Sequence, residues 1–150
     1  MTTLKKQLHS FCRNYVESRI NACQEVIRSS QQSANEETKS SAGDKYETGR
    51  AMAQLEIEKA TAQLVEATKL KQIVDHIPAD NNSQRVETGS VVITTHGNFY
   101  IAISAGQITI NNVNYFAISP TSPIGQRMIG LSVTDSFKFN NKDFVIEQVL

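Results

Sequence analysis

The chain has 150 residues, 39% of them apolar, with 15 basic and 15 acidic side chains and two cysteines. Balanced charge excludes a basic field that would hold nucleic acid by counterion release, so protein is the expected partner. The length allows one domain or two small ones, either of which can bury a core.

Charge is unevenly placed, with 11 basic and 10 acidic residues in 1–77 and only 4 and 5 after it. In this charged half Leu4, Leu8, Phe11 and Tyr15 step by three and four, and the pattern resumes as Val16, Ile20, Cys23, Ile27, Ser30 and Ala34. A second series runs Leu55, Ile57, Ala60, Leu64, Ala67, Leu70, Val74 and Ile77, with no proline in the whole stretch and glycine only at Gly43 and Gly49. The spacing predicts two long helices with a break near Gly43, each with a narrow apolar face. Narrow faces bury best against each other, so an antiparallel coiled-coil hairpin over 1–77 is expected. Its second helix, read from Glu47 onward, would be roughly 45 Å long. The Ser, Gln and Asn content of Ser29–Ala42 fits a frayed helix end or a loop equally.

Cys12 and Cys23 fall on the same expected helix, roughly 16 Å apart and beyond disulfide reach. They read as reduced thiols on a helix face, as in a cytosolic protein. The opening Met1-Thr-Thr-Leu-Lys-Lys-Gln carries no signal-peptide pattern, and the longest uncharged run, Thr88–Gln126, alternates and is broken by turn residues. A cytoplasmic location with no membrane partner is expected.

Pro78-Ala-Asp-Asn-Asn-Ser-Gln84 has turn chemistry and marks a linker over 78–86, ahead of a C-terminal domain at 87–150. There the period changes to two. Val91–Thr95, Phe99–Ser104, Gln107–Ile110, Val113–Ser119, Ser136–Phe139 and Phe144–Val149 read as strands. His96-Gly97-Asn98, Ala105-Gly106, Asn111-Asn112 and Asn140-Asn141 supply tight turns between them. A short helix over Pro123–Ile129 completes a compact α+β domain.

That helix lies in the most informative run of the chain, Ile118-Ser-Pro-Thr-Ser-Pro-Ile-Gly-Gln-Arg-Met-Ile-Gly130, with Asp135 five residues on. Ser122 is placed to cap the helix, Pro123 occupies the first helical position, and Gly130 supplies a left-handed stop. The wording I-S-x-x-S-P-I-x-x-x-[LM]-I-G resembles the C-terminal domain of the bacterial Gre factors (GreA and GreB), which bind RNA polymerase at its secondary channel. The resemblance spans hairpin, tip, linker and C-terminal domain. It implies an FKBP-like fold for the C-terminal domain and a polymerase contact at Thr121, Ser122, Pro123 and Ile124. The family commonly has Asp or Asn where this chain has Thr121.

At the expected hairpin turn stands Ser41-Ala-Gly-Asp-Lys-Tyr-Glu-Thr48. The corresponding Gre segment reads G-D-L-x-E-N, and its acids enter the polymerase active centre. Gly43, Asp44 and Glu47 keep that spacing here, while Lys45 replaces Leu and Thr48 replaces Asn. The resemblance thus assigns catalytic and metal-directed roles to Asp44 and Glu47. These would be exercised only in the complex, with no cofactor in the free protein and Mg²⁺ supplied with the polymerase. Two-metal hydrolysis of RNA needs a second Mg²⁺ held by hard oxygen ligands beside the first. One carboxylate can complete its shell and another can orient or deprotonate the attacking water. Carboxylates three residues apart at a helix start share a face. Asp44-Lys-Tyr-Glu47 is equally a capping-box pattern at the positive end of a helix dipole.

Lys39, Lys45 and Arg50 surround the tip as candidate contacts to the phosphates of a nascent RNA 3′ end, or as part of a solvated helix face. His9, His76 and His96 have no partners at metal-ligand spacing. The function expected is a monomeric elongation factor that stimulates transcript cleavage by polymerase and is not an enzyme by itself. A regulator that occupies the channel without stimulating cleavage is the alternative, motivated by Lys45 and Thr48. A prolyl isomerase ranks third, because a fold-level analogy says little about activity and the chain has no Trp to floor a proline pocket.

Overall fold

The computed structural model describes residues 2–38, 43–78 and 83–150, apart from the side chains at 37–38 and 43–46. The architecture is α+β in two parts, with two long helices followed by a six-stranded sheet and one short helix. The helices are α1 (Thr3–Thr38) and α2 (Gly43–Asp75). The stretch from Ser29 that the sequence left open is therefore helical as far as Thr38, and residues 39–42 lie outside the described part. Helix α2 already includes Gly43, four residues before the expected start.

By their packing the residues form two compact units, one of Val16–Lys71 and one of Met1–Tyr15 with Gln72–Leu150. Within the first unit the helices bury a seam. Val16 and Cys23 on α1 and Ala53, Ala60 and Ala67 on α2 are buried, flanked by half-buried Ile20, Ile27, Ile57, Leu64 and Leu70. The three alanines recur every seven residues, the repeat of a coiled-coil seam. Leu55, expected on this stripe, is instead exposed, and Ala53 takes the seam position. The outer faces are charged and carry the exposed pairs Arg28–Glu25 and Lys69–Glu66. Such pairs add solubility more than stability.

The second unit is built on strands β1 (Val91–Thr94), β2 (Gly97–Ile101), β3 (Gly106–Ile110), β4 (Val113–Ile118), β5 (Ser136–Phe139) and β6 (Lys142–Val149), with α3 (Pro123–Met128) between β4 and β5. Their order in the sheet is β3-β4-β2-β1-β6-β5. All pairs are antiparallel except β2–β4, which is parallel in the register Phe99↔Phe116. A parallel pair needs a crossover, and here β3 is that crossover, lying outside β4 as an edge strand. Asn111-Asn112 and Asn140-Asn141 turn with positive φ at both positions, which suits the tight hairpins they close.

One face of the sheet carries Val92, Phe99, Ile101, Phe144 and Ile146, closed by Met128 of α3 and by Val86. Val86, at the end of the expected linker, exchanges backbone bonds with Leu131 and Gly130 at 2.8 and 2.9 Å and is core. The opposite face carries Val91, Tyr100 and Ala117, which are register partners and all buried. Leu8 and Cys12 in the first turns of α1 are fully buried, and Cys12 is near enough to Tyr100 to act on it electrostatically. His9 Nε2 bonds the Val74 carbonyl oxygen at 2.9 Å and ties this end of α1 to the last turn of α2.

Burial pushes the Cys12 thiol from its ordinary 9.0 up to about 12, and raises the Tyr100 phenol, whose hydroxyl is buried without a hydrogen-bond partner. An acid whose folded pKa is raised stabilises the fold below its unfolded pKa and loses that contribution as pH climbs toward the folded one. Stability is thus expected to fall between about pH 9 and pH 12. Urea midpoints measured across that range should decline less steeply for Cys12→Ala, with Tyr100 adding to the decline and the lowered Lys5 ammonium opposing it.

Candidate functional site

The loop between β4 and α3 is held by its own side chains. Ser122, at φ −65° and ψ 158°, is the N-cap, and its Oγ accepts from the Gly125 amide at 3.1 Å. The same hydroxyl donates to the Ser119 carbonyl oxygen at 2.6 Å, which also accepts from the Ser122 amide at 3.1 Å. Thr121 is fixed from two sides: its amide donates to Ser119 Oγ at 3.2 Å, and its carbonyl oxygen accepts from Gln126 Nε2 at 2.9 Å. The hydroxyls of Ser119 and Thr121 are 2.8 Å apart, in hydrogen-bond contact.

Pro123 at the start of α3 spares a backbone donor that the helix would not have used. The Thr121 and Pro123 side chains are exposed, whereas Ile124 turns inward onto the core cluster and anchors the loop. The result is a short, internally bonded loop presenting Thr121 and Pro123 to solvent. Of the four residues expected there, Ser122 and Ile124 therefore hold the loop, and Thr121 and Pro123 are its outward face.

Gly125, an unspecified position of the Gre-like run, is fixed as glycine by packing. A Cβ added there would lie 2.2 Å from the Ser119 carbonyl oxygen and 2.9 Å from Ser122 Oγ. Its bare Cα lets the two sides of the loop approach. Gly130, at φ +85°, is the left-handed stop read from the sequence.

At the other candidate site, Asp44 and Glu47 both lie within the first turns of α2, where the helical repeat puts them on neighbouring positions of one face. The side chain of Glu47 is exposed; that of Asp44 lies outside the described residues, as do Lys39 and the side chain of Lys45. Arg50 is exposed one turn beyond Glu47. Among the described residues, no three His, Cys, Asp or Glu side chains converge to hold a metal ion. Carboxylates are nonetheless the donors that Mg²⁺ accepts, and two of them suit completion of a shell begun by another macromolecule. No family model and no curated protein matches the chain. No helix among the described residues is long and apolar enough to cross a membrane.

Proposed function

We propose that this chain binds RNA polymerase at the secondary channel and stimulates cleavage of backtracked nascent RNA, as the Gre factors do. Polymerase owns the active site in this reading. The bound Mg²⁺ supplies Lewis-acid chemistry there, while Asp44 and Glu47 offer carboxylate oxygens to its shell and to the attacking water. The observation that carries the reading is the loop from Ile118 to Gly130. Ser122, Gly125, Ile124 and Met128 of the Gre-like run have defined duties in it, as cap, close approach and anchors. Thr121 and Pro123 are exposed on the outer side of the same loop, where a partner can reach them.

The helices support the second half of the reading. Helix α2 has 33 residues and is about 50 Å long. That length suffices to carry carboxylates in its first turns far into a pore. A cytoplasmic location follows from the partner. The alternative, occupancy of the channel without stimulated cleavage, rests on Lys45 and Thr48 and is separated by the cleavage measurements described in the Discussion.

Pro123→Ala tests the docking loop. The substitution should leave urea stability within about 0.5 kcal/mol, because the first helical position has no intrahelical donor duty. Affinity for core polymerase is expected to fall about tenfold, the loss of one well-placed apolar contact. If the folded variant binds as tightly as the unaltered protein, this loop is not the contact.

A further inference from the structure

The six-stranded sheet has two edges, and they are guarded differently. Edge strand β5 carries the exposed Lys138, and α3 packs beside it, both of which discourage the addition of another strand. Edge strand β3, Gly106-Gln-Ile-Thr-Ile110, has no such guard. No Asp, Glu, Lys or Arg stands anywhere from Thr88 to Gln126, and no proline between Pro78 and Pro120. The register against β4 is continuous through Gly106–Ile110, so no bulge turns the strand aside. We propose that β3 pairs with β3 of a second copy of this chain, antiparallel about a two-fold axis at Ile108, and joins two sheets into one.

The alternation of the β3–β4 ladder identifies the groups that make this pairing. The Asn111-Asn112 turn makes Ile110↔Val113 a bonded pair, so Ile108↔Tyr115 and Gly106↔Ala117 are bonded as well. The Ala117 carbonyl oxygen accordingly faces β3 and accepts from the Ala105 amide at 3.2 Å. That of Ile118 faces the other way and accepts from the Ala102 amide at 2.8 Å. Gln107 and Thr109 therefore turn their amide and carbonyl groups outward, away from β4. Both residues are exposed, and among the described residues no main-chain group outside the strand bonds them. A two-fold axis at Ile108 sets Gln107 of each copy against Thr109 of the other, and each such pair exchanges both main-chain bonds. Half-buried Ile110 then lies opposite Gly106 of the other copy, where even a Cβ would meet nothing within 4 Å. Exposed Val113 and Phe116 on β4 add apolar surface beside the edge, one on each face. With no charge on the strand, two identical edges meet without like-charge repulsion, and a two-fold contact closes at two copies. A strand of 5 residues makes a small interface, so the dimer is weak and the dilute protein is the monomer expected of a Gre-like factor. The pairing rests on the sheet alone and not on the proposed function.

Sedimentation equilibrium of the full chain from about 10 µM to about 1 mM tests the pairing. The average mass is expected to climb from that of one chain toward that of two and to go no further. Over the same range the backbone amide signals of Gln107 and Thr109 should move in NMR spectra, and that of Lys138 on the other edge should not. Two double variants fix the register, compared at physiological ionic strength where net charge is screened. Gln107→Lys with Thr109→Glu sets opposite charges face to face across the axis, whereas Gln107→Lys with Thr109→Lys sets like charges there. Both lose the same Thr109 Oγ1 bond to Asn114 Oδ1, so any effect of that loss on folding is shared. The like-charged variant is expected to dimerise at least about tenfold more weakly than the oppositely charged one. The mass of one chain at every concentration would overturn the proposal. Growth beyond two chains would also overturn it, because unlike edges would then be joining. Equal dimerisation by the two variants would place the contact on another surface and overturn it too.

Discussion

Gly125→Ala is expected to destabilise the C-terminal unit by about 3 kcal/mol. The added methyl group would sit 2.2 Å from the Ser119 carbonyl oxygen and 3.1 Å from the Pro120 carbonyl carbon, both main-chain atoms that cannot rotate away. Relief requires the Ser119 carbonyl to move, and it is held by both the amide and the hydroxyl of Ser122. The cap, the turn and the seating of Ile124 and Met128 would shift together. Gly130→Ala is the comparison: it has no atom within 4 Å of the new methyl but a φ of +85°. Its cost is that of left-handed backbone alone, about 1 kcal/mol. Urea unfolding of the two variants should therefore give clearly different midpoints, Gly125→Ala the lower. Equal midpoints would mean that the loop relaxes around Gly125 without losing its bonds.

Asp44→Asn is expected to lower stimulated transcript cleavage by about 100-fold while leaving the helices intact. Asn caps a helix about as well as Asp, so a capping role predicts almost no change. What the substitution removes is the negative charge that, in the proposed mechanism, a second Mg²⁺ needs. Glu47→Gln should show a loss in the same direction, because in the proposed mechanism the two acids serve one metal and one water. Helical circular dichroism and affinity for polymerase should both stay at their unaltered values. Full cleavage by Asp44→Asn would make the pair a helix cap. If the unaltered protein also fails to stimulate cleavage but competes with a cleavage factor for polymerase, the channel-occupying regulator is the correct reading.

The two long helices were legible because their apolar positions are periodic and no proline interrupts the chain from Leu4 to Ile77. Leu55 was misplaced because apolarity alone does not separate a seam residue from its neighbour; Ala53 is smaller, and lets the helices approach. The strands were legible because Asn-Asn and Gly-containing turns punctuate them, and each expected strand is present within a few residues of its expected ends. The parallel β2–β4 pair was not legible, since strand order is set by which edges meet in three dimensions and not by local pattern. Thr134, at φ +76°, also escaped the reading: a β-branched residue is the last one propensity would put in the left-handed region. Its amide bonds the Ile146 carbonyl oxygen at 2.8 Å, and that tertiary bond sets the conformation.

In the candidate sites, Ser122, Pro123 and Gly130 could be read locally, because caps and stops are written within a few residues. Gly125 could not, because the carbonyl it must approach is six residues away across a turn. For Asp44 and Glu47, spacing fixes the shared face.

Adding the protein to a stalled, backtracked RNA polymerase complex in the presence of Mg²⁺, and following transcript length, tests the central claim most directly. The account predicts shortening of the RNA from its 3′ end at least about tenfold faster than without the protein, leaving a 3′ hydroxyl that polymerase extends when nucleotides are supplied. A transcript that shortens no faster, while the protein is bound to the polymerase, would contradict it.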